Sequence, residues 1–79
     1  MNDLRVFVMV AQMKSIRNAA LMLHLSERFV SYTIERLERE CNEQLFTRHN
    51  RGGVRMTDEG SRLLHHALPM VQAFSPLPI

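Results

Sequence analysis

Ser26, Glu27, Arg28, Ser31 and Tyr32 crowd into one short stretch, and each can hydrogen-bond to the edge of a DNA base or to a phosphate. On a helix that begins just after Ser26, residues 27, 28, 31 and 32 share the outward face, since positions three and four apart are neighbours on a helix surface. The other face is apolar, with Val30, Ile34 and Leu37 at helical spacing. Ser26 stands where an N-cap belongs, its hydroxyl placed to accept from the free N–H groups of the first turn. A helix built this way presents a polar tip while its back is fastened to a core.

The residues before it supply the support. Ile16, Ala19, Ala20 and Leu23 repeat at one-face spacing and predict a helix over about 16–23, capped by Ser15 and separated from the next by His24-Leu25-Ser26. The Ala19-Ala20 pair places small side chains where two helices cross and crowd. The whole therefore reads as a DNA-binding helix-turn-helix that holds its second helix toward the major groove. A first helix is expected from about Asp3 to Met13, with Asn2 or Asp3 as its cap and Leu4, Phe7, Val8 and Ala11 on its apolar face. Val6, Met9 and Val10 broaden that face, which fits either an ordinary core helix or contact with a partner chain. The second helix of the pair should run to about Glu40, supported by Glu35 with Arg39 at i, i+4. Asn42 follows where positive φ is common.

Beyond it, the short pieces 44–48 and 54–56 flank Asn50-Arg51-Gly52-Gly53, which is turn chemistry, and predict a two-stranded hairpin, the wing of a winged helix. Thr57 should cap a fourth helix, with Asp58 and Glu59 in its first turn, where the helix dipole favours acids. Leu63, Leu64, Ala67 and Leu68 give that helix an apolar face. Pro69 is expected to stop or kink it near Leu68. The predicted fold is mainly α: a winged helix-turn-helix with a three-helix core, a two-stranded wing and a shortened C-terminal linker helix. It occupies 1–68, and 69–79 form a proline-interrupted tail.

Seventy-nine residues support one small domain, and a hydrophobic content of 46% marks it as globular. The lone cysteine, Cys41, rules out an internal disulfide and reads as a small buried hydrophobe. No signal peptide and no bilayer-length apolar run is visible, so a cytoplasmic, nucleoid-associated location is expected, without a membrane partner. Net charge is only +2, but its distribution is uneven. Arg48, Arg51 and Arg55 face Glu43 alone within 42–57, a pattern that fits a phosphate clamp beside the helix tip or a solvated turn, and the neighbouring motif favours the clamp. Lys14 and Arg17 can add backbone contacts, and Arg51 or Arg55 can reach the minor groove from the wing. His49, His65 and His66 do not make a metal site, because adjacent helical residues point about 100° apart. There is no nucleophile elbow or glycine-rich phosphate loop. The expectation is a protein that is not an enzyme and uses no cofactor and no metal.

These residues resemble the N-terminal winged helix-turn-helix of LysR-type transcriptional regulators. The match runs in register through Phe7, Ala11, Ser15, Ala19-Ala20, Leu23 and Leu25-Ser26. It continues through Val30-Ser31, Ile34, Leu37-Glu38, Leu45-Phe46, Arg48, Val54, Thr57 and Gly60. The resemblance implies a bacterial regulator that binds specific double-stranded DNA, with the third helix in the major groove and the wing along the backbone. It also implies a homodimer joined largely through the fourth helix, which makes Leu63, Leu64, Ala67 and Leu68 the dimerisation residues.

The chain departs from the family where Glu27-Arg28-Phe29 replace the usual Gln-Pro-Ala. Glu27 brings a negative charge toward phosphates, useful only if it accepts from a cytosine amino group. Arg28 can offset that charge. Phe29 either alters the first turn or leans out onto a thymine methyl. Lys14 and Asn42 replace glycines. The family continues into an effector-sensing domain, which this sequence lacks, so no small-molecule ligand and no inducer response are expected. Pro69 shortens the pairing helix, which weakens the dimer or shifts it toward the first helix. The alternative function is a protein–protein module that heterodimerises with, or blocks, another regulator.

Overall fold

Val6, Phe7, Val8, Met9, Val10 and Ala11 are all buried, although successive helical residues point about 100° apart. Only a helix covered on every side can do this, and such a helix must sit at the centre of its domain. A computed structural model describes residues 3–49 and 53–74, with side chains to Val71, and arranges the other elements around that centre. They are α1 (Asp3–Met13), α2 (Ile16–Leu23), α3 (Glu27–Cys41), β1 (Phe46–Arg48), β2 (Val54–Met56) and α4 (Asp58–Phe74). Helix α1 packs against α2, α3, α4 and β2. The breadth of its apolar face is thus ordinary core packing within one chain. The fold is mainly helical with a small antiparallel sheet, as the sequence predicts.

Helix boundaries follow local chemistry. The Ser15 hydroxyl accepts from the Asn18 N–H at 3.0 Å, and Ser26 accepts from Phe29 N–H at 3.0 Å. Helices α1, α2 and α3 each end at a residue in the left-handed region, Lys14, His24 and Asn42, with φ of 56°, 58° and 56°. Asparagine and histidine are enriched in this conformation; for lysine it costs about 1–2 kcal/mol. The expected cap at Asn2 and the hairpin tip at 50–52 lie outside the described residues, as does 75–79.

The strands pair Phe46 with Met56, Thr47 with Arg55 and Arg48 with Val54. Phe46 and Val54 turn inward, and the Phe46 ring lies 5.4 Å from that of Phe7 in α1, a tilted aromatic contact. Ser15 bridges to Gly53, and the Val54 N–H donates to the Lys14 carbonyl at 3.1 Å. The hairpin is thus stitched to the α1–α2 turn.

Two expectations are corrected. Helix α4 does not stop at Leu68 but runs through Pro69 to Phe74. Pro69 has no N–H to give the His65 carbonyl, yet Ala67 and Val71 on either side are buried in the core. Their packing carries the helix past the lost bond, so 69–74 is not tail. Cys41 is exposed rather than buried. Its phase follows Leu37, but α3 ends there and the chain turns away at Asn42.

The join between β1 and α4 leaves no room for a side chain at Gly60. A Cβ there would lie 2.2 Å from the Leu45 carbonyl oxygen, a backbone atom that cannot swing aside. Gly60→Ala should therefore lower unfolding free energy by about 1–3 kcal/mol, the range for overpacking. Urea denaturation followed by circular dichroism measures this, and an unchanged midpoint would refute the tight join.

Candidate nucleic-acid interface

The α2–α3 crossing leaves the first turn of α3 projecting from the core. Ile16, Ala19 and Ala20 are buried on one helix, and Val30, Thr33, Ile34 and Leu37 on the other. Thr33 satisfies its buried hydroxyl by donating to the Phe29 carbonyl at 2.9 Å. Asp3 at the start of α1 pairs with Arg36, tying the two helices together. Its hydrogen bond and negative charge hold the Arg36 guanidinium above its ordinary pKa.

On the exposed side stand Ser26, Glu27, Arg28 and Tyr32, with Tyr32 51% accessible. Ser31 is half-buried, because Arg48 from β1 covers it and donates through Nη1 to its Oγ at 2.9 Å. Phe29 lies on the same tip, 39% accessible. Of the two outcomes expected for Phe29 the outward one is realised, and the Ser26 cap shows the first turn undistorted. Ser26, Arg28, Phe29 and Tyr32 border one shallow hollow; Glu27, Arg28, Ser31, Arg48 and His49 border another with Ile16. The helix tip and the hairpin therefore flank a common surface.

The basic candidates divide into two groups. Arg17 and Arg48 join the helix tip, Arg17 through a 3.9 Å ion pair with Glu27 and Arg48 through Ser31 and a 3.6 Å pair with Glu35. Glu35 thus reaches across to the hairpin rather than along the helix to Arg39. Lys14 and Arg55 are exposed and line a separate hollow beneath the hairpin, with Ala11 and Met56 in its floor and Ser61 at its edge. His49 borders both hollows. Arg51 lies outside the described residues.

Glu35 and His49 were not among the site residues expected from sequence. Glu35 carries a signal in retrospect, since it follows Ser31 by four residues and shares its helix face. His49 carries none, because its position depends on how the hairpin docks. His65 and His66 are exposed with rings 5.8 Å apart, and no group of three metal-ligating residues gathers among the described residues.

At the start of the hairpin a second α3 carboxylate holds the backbone. Glu38 Oε2 accepts from the backbone N–H groups of Leu45 at 2.8 Å and Phe46 at 3.2 Å. The Thr57 hydroxyl closes the other strand by donating to the Gln44 carbonyl at 2.6 Å, and its oxygen accepts from the Gly60 N–H at 3.0 Å. On α4 the expected dimerisation residues separate. Ala67 is buried against the chain's own core, since the helix phase turns it toward α1. Leu63, Leu64 and Leu68 are half-buried against that core, and Leu64 and Leu68 border an open groove with His65 and Pro69. No helix among the described residues is long and apolar enough to cross a membrane.

Comparison with known proteins matches this geometry. A family model described as bacterial regulatory helix-turn-helix protein, lysR family, covers residues 1–61. The chain is similar to the uncharacterized HTH-type transcriptional regulator YusT of Bacillus subtilis (strain 168), 45% identical over 65 residues, 82% of this chain and 22% of that protein. It is also similar to the HTH-type transcriptional regulator YofA of Bacillus velezensis, 41% identical over 70 residues, 89% of this chain and 24% of that protein. The chain thus spans less than a quarter of the length of these relatives. Among solved structures it resembles the BenM DBD/catB site 1 DNA complex with a TM-score of 0.85 and 31% identity, over 96% of this chain and 86% of that one. It resembles full-length CbnR complexed with its target DNA with a TM-score of 0.83 and 27% identity, over 91% of this chain and 25% of that one.

Removing the Glu38 carboxylate should loosen the hairpin. Hydrogen bonds to charged groups contribute about 1.5–3 kcal/mol, so Glu38→Ala should lose at least that amount and Glu38→Gln less, since its amide oxygen still accepts. Denaturation midpoints give the stability change, and amide exchange at Leu45 and Phe46 reports the hairpin directly. Unaltered exchange in Glu38→Ala would contradict this anchoring role.

Proposed function

The chain belongs to the lysR family of bacterial regulatory helix-turn-helix proteins, and on that premise we propose that it binds specific double-stranded DNA as a homodimer and regulates transcription. The observation that carries this reading is the exposed polar tip of α3 standing beside an arginine-bearing hairpin, joined to it by the Arg48–Ser31 hydrogen bond. Both BenM and CbnR were crystallised with DNA, and the shared fold supports the same docking here.

In this reading α3 enters the major groove with Arg28 and Ser31 reading base edges. Glu27 accepts from a cytosine amino group, and Ser26 and Tyr32 complete the contact. Arg17, Arg48, Lys14, Arg55 and Arg51 take phosphates, and the hairpin follows the backbone. The action is recognition by hydrogen bonds and charge, with no bond made or broken, and it calls for no cofactor. A second copy of the chain seats on the Leu64–Leu68 groove of α4, beside the half-buried Leu63. The place of action is the bacterial cytoplasm, at the nucleoid.

A protein–protein module is the competing reading. It draws support from Glu27 and Glu35, which place acid on the proposed DNA face. It loses the support of α1, whose apolar face is occupied inside the monomer. Random-sequence duplex DNA separates the two, because binding that weakens steeply with salt is a phosphate signature.

Arg28→Ala should cost about 1–3 kcal/mol of binding and relax sequence preference, as loss of a base contact does. Arg55→Ala should weaken all sequences alike and reduce the slope of log affinity against log salt by about 1. Fluorescence anisotropy at several salt concentrations measures both. If neither substitution changes affinity, the assignment of this face to DNA fails.

A further inference from the structure

Two of the cations placed on the DNA face already have carboxylate partners within the chain. Arg17 Nε lies 3.9 Å from Glu27 and Arg48 Nη2 lies 3.6 Å from Glu35, and all four side chains are exposed. Exposed pairs of this kind contribute little to folding, so stability does not account for them. Their position does: each acid stands on α3, on the surface where the helix tip and hairpin meet. Resting on the DNA-binding reading above, we infer that Glu27 and Glu35 set specificity by holding Arg17 and Arg48 in the free protein, against generic phosphates.

A duplex that offers only phosphates must displace a carboxylate for each of these arginines and then meet the displaced negative charge beside its own. A duplex whose bases also satisfy Arg28, Ser31 and Glu27 gains contacts that offset the exchange. Ser31 links the two events. Its Oγ accepts from Arg48 Nη1 at 2.9 Å in the free protein. When a phosphate draws Arg48 away, the hydroxyl is released to turn toward a base.

The test uses two duplexes, a random-sequence pool and the best-bound sequence selected from it by the unmodified protein. Glu27→Gln, Glu35→Gln and the double variant remove the charge at constant size. Glu59→Gln breaks a comparable exposed pair, with Arg62 at 3.4 Å, confined to α4, and serves as the control. Each α3 variant should bind the random pool about two- to five-fold more tightly, the scale of an exposed charge pair. Each should steepen the salt slope by up to about 1 as an arginine is freed for phosphate. The ratio of selected to random affinity should fall, with Glu59→Gln unchanged. If the unmodified protein binds DNA with salt dependence but the variants match it in affinity and slope, the inference is overturned and the DNA reading stands. If neither the unmodified protein nor the double variant binds any duplex with salt dependence, the DNA reading falls with it.

Discussion

A helix buried on every side has no free face with which to accommodate a shift, and α1 is in that position from Val6 to Ala11. Each other element is located by its contact with this rod. Helices α2 and α3 pack on it and on each other, Phe46 meets Phe7 from the hairpin, and α4 covers what remains. Interiors packed to crystal-like density transmit displacement instead of absorbing it. The angle at which α3 leaves the core is therefore set by its packing on both α1 and α2.

Around that rod, a few hydrogen bonds convert approximate packing into a defined interface. Ser26 ends the turn and starts α3, Glu38 pins β1 to α3, and the Ser15–Gly53 bridge pins β2 to the α1–α2 turn. The hairpin is short, and three-residue strands alone would be marginal. Its order comes from being fastened at both strands to helices that are themselves rigid. Arg48 and Arg55, on opposite strands, consequently serve two different hollows at fixed positions.

The electrostatics of the face are more balanced than its arginines suggest. Arg17 and Arg48 are each matched by an acid, while Lys14, Arg28 and Arg55 have no ion pair among the described residues. A surface arranged this way attracts a polyanion more weakly than its positive residues alone would and leaves more of the discrimination to geometry. Phe29 and Tyr32 add exposed aromatic area at the same tip, which suits contact with apolar groups such as thymine methyls.

Elements and caps were legible in the residues because they depend on neighbours close in sequence. Apolar spacing marked α1, α2, α3 and α4, Ser15, Ser26 and Thr57 announced their caps, Asn42 its left-handed turn, and the polar tip of α3 could be read from one turn of helix. What depended on distant partners was not legible. Pro69 argues for a stop, but Ala67 and Val71 find the core and the helix continues. Cys41 has the phase of a buried residue, but the chain turns before anything covers it. Glu35 has an arginine at i+4 and pairs with one across the fold instead. Local sequence determined which segments are helix or strand and which side of each is apolar. Only the tertiary structure decided which charge meets which and how the hairpin lies on the helix tip, because those energies arise between residues that chain closure alone brings together.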